Sequence, residues 1–224
     1  MNIYIGYDPD QEIAYKTCVA SIFRNTKSPQ YYSSFPLIQE KLRESGLYWR
    51  EIDEKASTPF SLTRFLVPAL NGYKGWAIYC DSDFMFLDDI TNLFALKDDT
   101  KAVQCVFHPP YKPKNKIKMH GVENHIYPKK NWSSLMLFNC EHDACKQLTP
   151  EVVNSLSPAA LHQFDWCYEN ELGQLPAKWN HLIGYCSDRI HPSAIHYTDG
   201  GPWMKGYEDV PYATIWREYS DSIK

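Results

Sequence analysis

Asp81-Ser82-Asp83 sets two carboxylates one residue apart, directly after the apolar run Trp76-Ala77-Ile78-Tyr79-Cys80. On an extended backbone residues i and i+2 point to the same side, so the pair can hold one hard divalent cation through oxygen. A nucleoside diphosphate leaving group needs such an ion, which offsets its growing charge and orients it. The same sequence in an exposed turn is merely two surface acids. What separates this one is the strand before it, because ligands of open α/β sheets collect outside the carboxyl ends of strands. A second cluster is Ile195-His196-Tyr197-Thr198-Asp199-Gly200-Gly201-Pro202-Trp203. His196 offers an imidazole nitrogen as a third ligand for an Mn-like ion, and Gly200 and Gly201 would let backbone amides approach a phosphate. A lone histidine is more often structural; the Gly-Gly-Pro-Trp context favours a site.

Other chemistries find no residues to carry them. The seven cysteines include no C-x-x-C pair, which argues against structural zinc and against a disulfide framework. There is no G-x-S-x-G nucleophile elbow and no P-loop. A net charge of -4 is unlike a dedicated nucleic-acid binder. Aromatic residues make up 15% of the 224-residue chain, and their flat faces suit sugar rings and bases as well as a core. No run approaches the ~18 apolar residues of a membrane span. With no signal-peptide pattern before Ile3, the sequence reads as cytoplasmic.

The elements that must position these groups follow from patterning. Residues 3–7 read as a first strand, Asp8-Pro9-Asp10 as a capped turn, and 11–24 as a helix with Ile13, Cys18, Val19, Ile22 and Phe23 at helical spacing. A strand, a short polar turn and a helix open a nucleotide-binding α/β fold. Residues 61–70 read as a helix carrying Arg64, 76–80 as a buried strand, and 101–107 and 135–138 as further strands. A carboxylate of Asp88-Asp89 would cap a short helix running to Leu96, and helices are expected near 141–148 and 157–170. The last quarter shows little periodicity. Residues 108–131 hold Pro109, Pro110, Pro113 and Pro128 with Lys112, Lys114, Lys116, Lys118, Lys129 and Lys130. They read first as a solvated loop, and second as a flap for an anionic acceptor or a membrane surface.

Taken in order, these segments resemble the GT-A-fold glycosyltransferases, in particular family 8, the group of glycogenin and the lipopolysaccharide galactosyltransferases. Ile3-Tyr4-Ile5-Gly6-Tyr7-Asp8 is similar to the family's first strand, and Phe60-Ser61-Leu62-Thr63-Arg64-Phe65 to its helix with a donor-reaching Arg. Tyr79-Cys80-Asp81-Ser82-Asp83 is similar to its metal motif, and residues 195–203 to its last segment. Leu137-Phe138-Asn139, His162-Gln163-Phe164-Asp165-Trp166 and Leu175-Pro176-Ala177-Lys178-Trp179-Asn180 fall between them in family order. The resemblance implies a single α/β GT-A-like domain over 1–224, with a mixed, mostly parallel sheet flanked by helices. It implies transfer of a sugar from a nucleotide-sugar, a UDP-sugar favoured, to a glycan or glycolipid hydroxyl, with retention of configuration. Asp81, Asp83 and His196 would hold Mn2+ or Mg2+. Tyr7, Asp8 and Tyr15 would meet the nucleoside, and Arg64, Ser82, Asn139, Gly200, Gly201 and Trp203 the rest of the donor. Asp165 or Gln163 would stabilise the reacting carbon. The rivals are a nucleotidyltransferase that makes nucleotide-sugars and a carbohydrate-binding protein that kept the fold.

Overall fold

The computed structural model describes residues 1–51, 58–110 and 128–223. Nine strands are present among them: β1 (Asn2–Gly6), β2 (Ser33–Leu37), β3 (Trp76–Cys80), β4 (Phe84–Phe86), β5 (Val103–Cys105), β6 (Leu135–Asn139), β7 (Leu172–Gln174), β8 (His181–Leu182) and β9 (Ala194–His196). Six form one twisted sheet in the order β2-β1-β3-β6-β5-β7, in which only β6 runs against the rest.

The central strands are apolar at nearly every position because both faces of the sheet are covered. Tyr4, Ala77, Tyr79, Met136 and Phe138 enter one core. Ile3, Ile5, Ile78, Cys80, Leu135 and Leu137 enter the other, under the helix Glu12–Asn25. The two-residue alternation thus feeds two layers, and this is the α/β architecture expected of the sequence. β2, at the edge, tolerates Pro36, which faces Ile5. A second sheet, β4-β9-β8, shares the core under the helix Glu12–Asn25, where Phe84, Phe86 and Ala194 pack with Ile3, Ile5, Ile78 and Cys80.

Several boundaries differ from expectation. Residues 61–70 form a tight 3-10 turn, Thr63–Leu66, followed by one α-turn, Val67–Leu70, with Pro68 in its first turn. The expected helix over 157–170 is only Pro158–His162. Phe164 adopts a left-handed backbone (φ 59) and drives its ring into the core, which stops the helix. The last quarter holds an unanticipated helix, Ala213–Asp221, that buries Ala213, Trp216, Tyr219 and Ser220. Of the basic stretch 108–131, residues 111–127, and with them Lys112, Lys114, Lys116 and Lys118, lie outside the described residues. Of its described roots, Pro109, Pro110 and Pro128 are exposed, His108 and Lys130 are buried, and Lys129 is half-buried, its Nζ donating to the carbonyl of Gln163 (2.8 Å).

Candidate active site

Asp81 follows β3 at the carboxyl edge of the main sheet, its amide bonded to the carbonyl of Ser134 at the start of β6 (2.9 Å). The chain then turns at Ser82 and Asp83 and leaves as β4. The two carboxylates therefore converge across a turn, not along an extended strand. The second sheet fixes the convergence: β4 pairs with β9 in the register Phe84↔His196, and the amide of Tyr197 donates to the carbonyl of Asp83 (3.1 Å). This carries His196 to the carboxylates, with Nε2 3.3 Å from Asp83 Oδ2. Phe84 stacks on the imidazole, ring centres 4.5 Å apart.

Asp81, Asp83 and His196 each present a ligand atom, all within 4.8 Å of one another. The residues fit a cation. Asp83 Oδ1 is buried and accepts no hydrogen bond from the protein, a costly state for a carboxylate oxygen that coordination would relieve. The imidazole is also set for the purpose. Asn180 Nδ2 donates to the carbonyl of Asn131 (3.2 Å) and to Ser134 Oγ (3.0 Å), so its Oδ1 faces His196 Nδ1 (2.9 Å) as an acceptor. Assigned from that network, the proton sits on Nδ1 and the lone pair of Nε2 faces the carboxylates.

Asp81 is held from its other side. Arg64 Nη2 lies 3.1 Å from Oδ1 and Nη1 3.3 Å from Oδ2, while Tyr79 donates its hydroxyl to Oδ1. Burial pushes the Asp81 carboxyl up to about 6, with Arg64 working against burial and Asp83 adding to it. Phe60, whose ring lies 5.8 Å from the Arg64 guanidinium, crosses the end of β1 at Gly6, where a Cβ would stand 2.5 Å from that ring. Gly6→Ala is therefore expected to destabilise by roughly 1–3 kcal/mol as the ring is forced aside, and to loosen Arg64 with it. The checks are the thermal midpoint and nucleotide affinity; a wild-type midpoint would mean the ring has room to move.

The other anticipated residues do not all gather at this centre. Tyr7, Asp8, Tyr15 and Trp203 come together beyond β1. The rings of Tyr7 and Tyr15 meet edge to face (5.3 Å). Asp8 accepts from the amide of Asp10 and from Gln11 Nε2 (both 3.0 Å), and Trp203 Nε1 donates to Gln11 Oε1 (3.1 Å). The strand register Ile5↔Cys80 puts this group at the same edge as Asp81. Gly200 and Gly201 have a packing explanation that the sequence did not suggest. A Cβ on Gly201 would lie 1.9 Å from the Trp203 ring, one on Gly200 2.8 Å from the Tyr207 ring, and the Gly200 amide is already bonded to the carbonyl of Tyr197 (3.0 Å). Ser82 is buried. Gln163, half-buried, and Asp165, exposed, follow the helix Pro158–His162. That helix docks near the site through His162 Nδ1 and Ser133 Oγ (2.8 Å).

Asn139 is a correction. Its strand β6 is antiparallel, so Asn139 pairs with Trp76 at the opposite end of β3 from Asp81. Five residues at ~3.3 Å each put it on the order of 16 Å away, where its side chain meets the carbonyl of Asp99. The turn that leads into β6, with Ser133 and Ser134, faces the site instead.

Residues that sequence reasoning passed over do much of the positioning. Asn180, Ser134, Asn131 and Gln11 orient ligands or tie segments together, Asn131 Nδ2 also reaching Thr198 Oγ1 (3.2 Å). His108 is buried near His196, its Nε2 without a partner, and burial together with His196 holds it low, at about 4. Isolated Asn, Ser and Gln carry no spacing signal. Only Asn180, in a segment resembling a family stretch, was within reach.

The chain is 44% identical over 221 residues to Protein CDI of Arabidopsis thaliana, covering 96% of this chain and 83% of that protein. No protein-family model matches the chain. Among solved structures it is similar to the WbbM bifunctional glycosyltransferase (TM-score 0.68, 16% identity, 98% of this chain and 49% of that one). It is also similar to the glycosyltransferase GlyE of Streptococcus pneumoniae TIGR4 (0.64, 14%, 98% and 59%). The galactosyltransferase LgtC, solved with donor and acceptor sugar analogues, matches end to end (0.62, 12%, 99% and 96%). The chain thus spans about half of WbbM and under two thirds of GlyE. At these identities the likeness is one of fold, and the fold is GT-A.

Proposed function

This chain belongs to the family of Protein CDI, and from that premise we propose that it is a metal-dependent glycosyltransferase taking its sugar from a nucleotide-sugar, a UDP-sugar favoured. The observation that carries this reading is the Asp81/Asp83/His196 group with its unsatisfied Asp83 Oδ1, at the ligand-collecting edge of a GT-A fold. A divalent cation held there, Mn2+ or Mg2+, supplies neutralisation of the diphosphate as the sugar–phosphate bond breaks. The chain's own residues do the rest. Asn180 fixes the imidazole tautomer. Phe84 and the β4–β9 pairing fix its orientation. The Tyr7/Tyr15 pair offers aromatic surface to a base, and Trp203, locked through Gln11 to Asp8, walls that side. Arg64 stands ready for an anion or a hydroxyl beside Asp81. A glycan or glycolipid hydroxyl is the acceptor class, the reaction is hexosyltransferase-type, and retention is the expected stereochemistry, with Gln163 or Asp165 at the reacting carbon. No helix of the described residues is long and apolar enough to cross a membrane.

The test is donor binding with and without metal. Thermal-shift screening of nucleoside diphosphates and nucleotide-sugars should give stabilisation by one base series with Mn2+ and none in EDTA; equal shifts in both would remove the metal from the reading.

A pH dependence follows from Asp81. Its proton must leave for a cation to bind, so Mn2+ affinity should fall by up to about tenfold per unit as pH drops below about 6. In the ion-free protein the sign on stability is opposite to that of a salt-bridged acid. The raised carboxyl adds to stability below the unfolded value of 3.8 and loses that contribution as pH rises through about 6. Calorimetric Mn2+ titrations between pH 5 and 8 check the first part; a flat affinity would show that Asp81 is not a ligand.

A further inference from the structure

Asp81 serves two cations. Its carboxylate belongs to the candidate metal group, yet it is already gripped by Arg64 through both oxygens, at 3.1 and 3.3 Å. The pair is poorly exposed, 7% for the Arg64 side chain and 13% for that of Asp81, so water screens it little. Arg64 is also held in place independently of Asp81. Its guanidinium lies over the rings of Tyr79 (5.1 Å) and Phe60 (5.8 Å), and Nη1 donates to the carbonyl of Ser133 (2.9 Å). A metal ion at Asp81, Asp83 and His196 would share one carboxylate with this fixed positive charge, and the two repel. A diphosphate arriving beside them offers the guanidinium a second acceptor whose paired oxygens match its fork, and so relieves the repulsion.

We propose that Arg64 is the coupling element of the site: the resident counter-cation of Asp81, it holds metal affinity down until a diphosphate ligand takes up its guanidinium. The proposal deepens, and rests on, the metal-dependent reading above. Coupling of this kind is reciprocal, so metal raises diphosphate affinity by the same factor that diphosphate raises metal affinity. The protein is then armed by the complex of metal and nucleotide together, and free metal alone occupies the site poorly.

The experiment measures Mn2+ affinity at pH 8, with and without saturating UDP, for the wild type, Arg64→Gln and Arg64→Lys. Calorimetry or the electron-spin signal of free Mn2+ gives the readout, and circular dichroism confirms folding. For the wild type, UDP should tighten Mn2+ binding by about tenfold or more. In Arg64→Gln, Mn2+ alone should bind more tightly than in the wild type, and the UDP enhancement should collapse towards one. Arg64→Lys keeps the charge but loses the fork, so Mn2+ alone should bind no better than in the wild type, with a reduced enhancement. A merely supporting Arg64 would give weaker or unchanged Mn2+ binding in a folded Arg64→Gln, and that result overturns the inference. Should Arg64→Gln fail to fold, a wild-type enhancement in Arg64→Lys overturns it equally. If the wild type binds neither Mn2+ nor UDP, the functional reading falls and takes this inference with it. If it binds both and the variants match it, only the inference falls.

Discussion

Asp83→Asn is expected to lower turnover by about 10²–10³-fold, roughly 3–4 kcal/mol of transition-state stabilisation, with the fold intact. Asp83 Oδ1 is buried with no donor to satisfy it, so the carboxylate adds little to the stability of the ion-free protein. Its replacement by a neutral isostere should leave the thermal midpoint unchanged or raised. Loss of activity without loss of stability is the mark of a residue retained for chemistry. Asp89→Asn is the control. Asp89 caps the helix Ile90–Phe94, accepting from the amides of Thr91 (2.9 Å) and Lys27 (3.1 Å), and Asn caps about as well as Asp. Turnover of that variant should match the wild type. Equal activity of Asp83→Asn and Asp89→Asn would leave the metal group without a role.

The second large effect is expected at Asn180, which touches no ligand in the proposed reaction. Asn180→Leu removes the acceptor for His196 Nδ1–H and frees Ser134 Oγ and the Asn131 carbonyl from their shared donor. The imidazole can then carry its proton on Nε2, the atom that must bind the cation. Loss of such an outer partner costs about 10–100-fold in metal affinity. Mn2+ titration gives the affinity, and imidazole nitrogen chemical shifts report the tautomer directly. Wild-type affinity with the Nδ1–H tautomer retained would show that Phe84 stacking and the β4–β9 register orient His196 unaided.

How far the site was legible depends on the kind of information each part required. The strand Trp76–Cys80 and the carboxylates after it could be read directly, because a continuous apolar run ending in Asp is a local signal. His196 was found by its local context. Its meeting with Asp83 was anticipated from ligand chemistry and the family resemblance and not from patterning, because it depends on a second sheet whose strands, of two or three residues, are too short to show a period. Asn139 failed for a definite reason. Leu-Met-Leu-Phe reads as a buried strand in either direction, and only the pairing partner decides which end faces the ligand. The helix over 157–170 failed at one residue, Phe164, whose left-handed backbone no propensity anticipates. The helix Ala213–Asp221 went unread although Ala213, Trp216 and Tyr219 lie three apart along it, a stripe visible once the helix is known. The two glycines of the last motif show the reverse risk, in which a residue type suggests phosphate and the structure supplies ring packing as its own sufficient cause.

Metal-dependent transfer from a nucleotide-sugar is tested by slow donor hydrolysis, without knowledge of the acceptor. The protein is incubated with Mn2+ and a panel of nucleotide-sugars, and the released nucleoside diphosphate and free sugar are quantified. The expected result is slow release of nucleoside diphosphate from one donor series, abolished by EDTA, restored by added Mn2+ and absent in Asp83→Asn. Release that persists in EDTA would contradict the claim. So would a failure to release nucleoside diphosphate from any donor, or formation of nucleoside triphosphate when pyrophosphate is supplied, the signature of a nucleotidyltransferase.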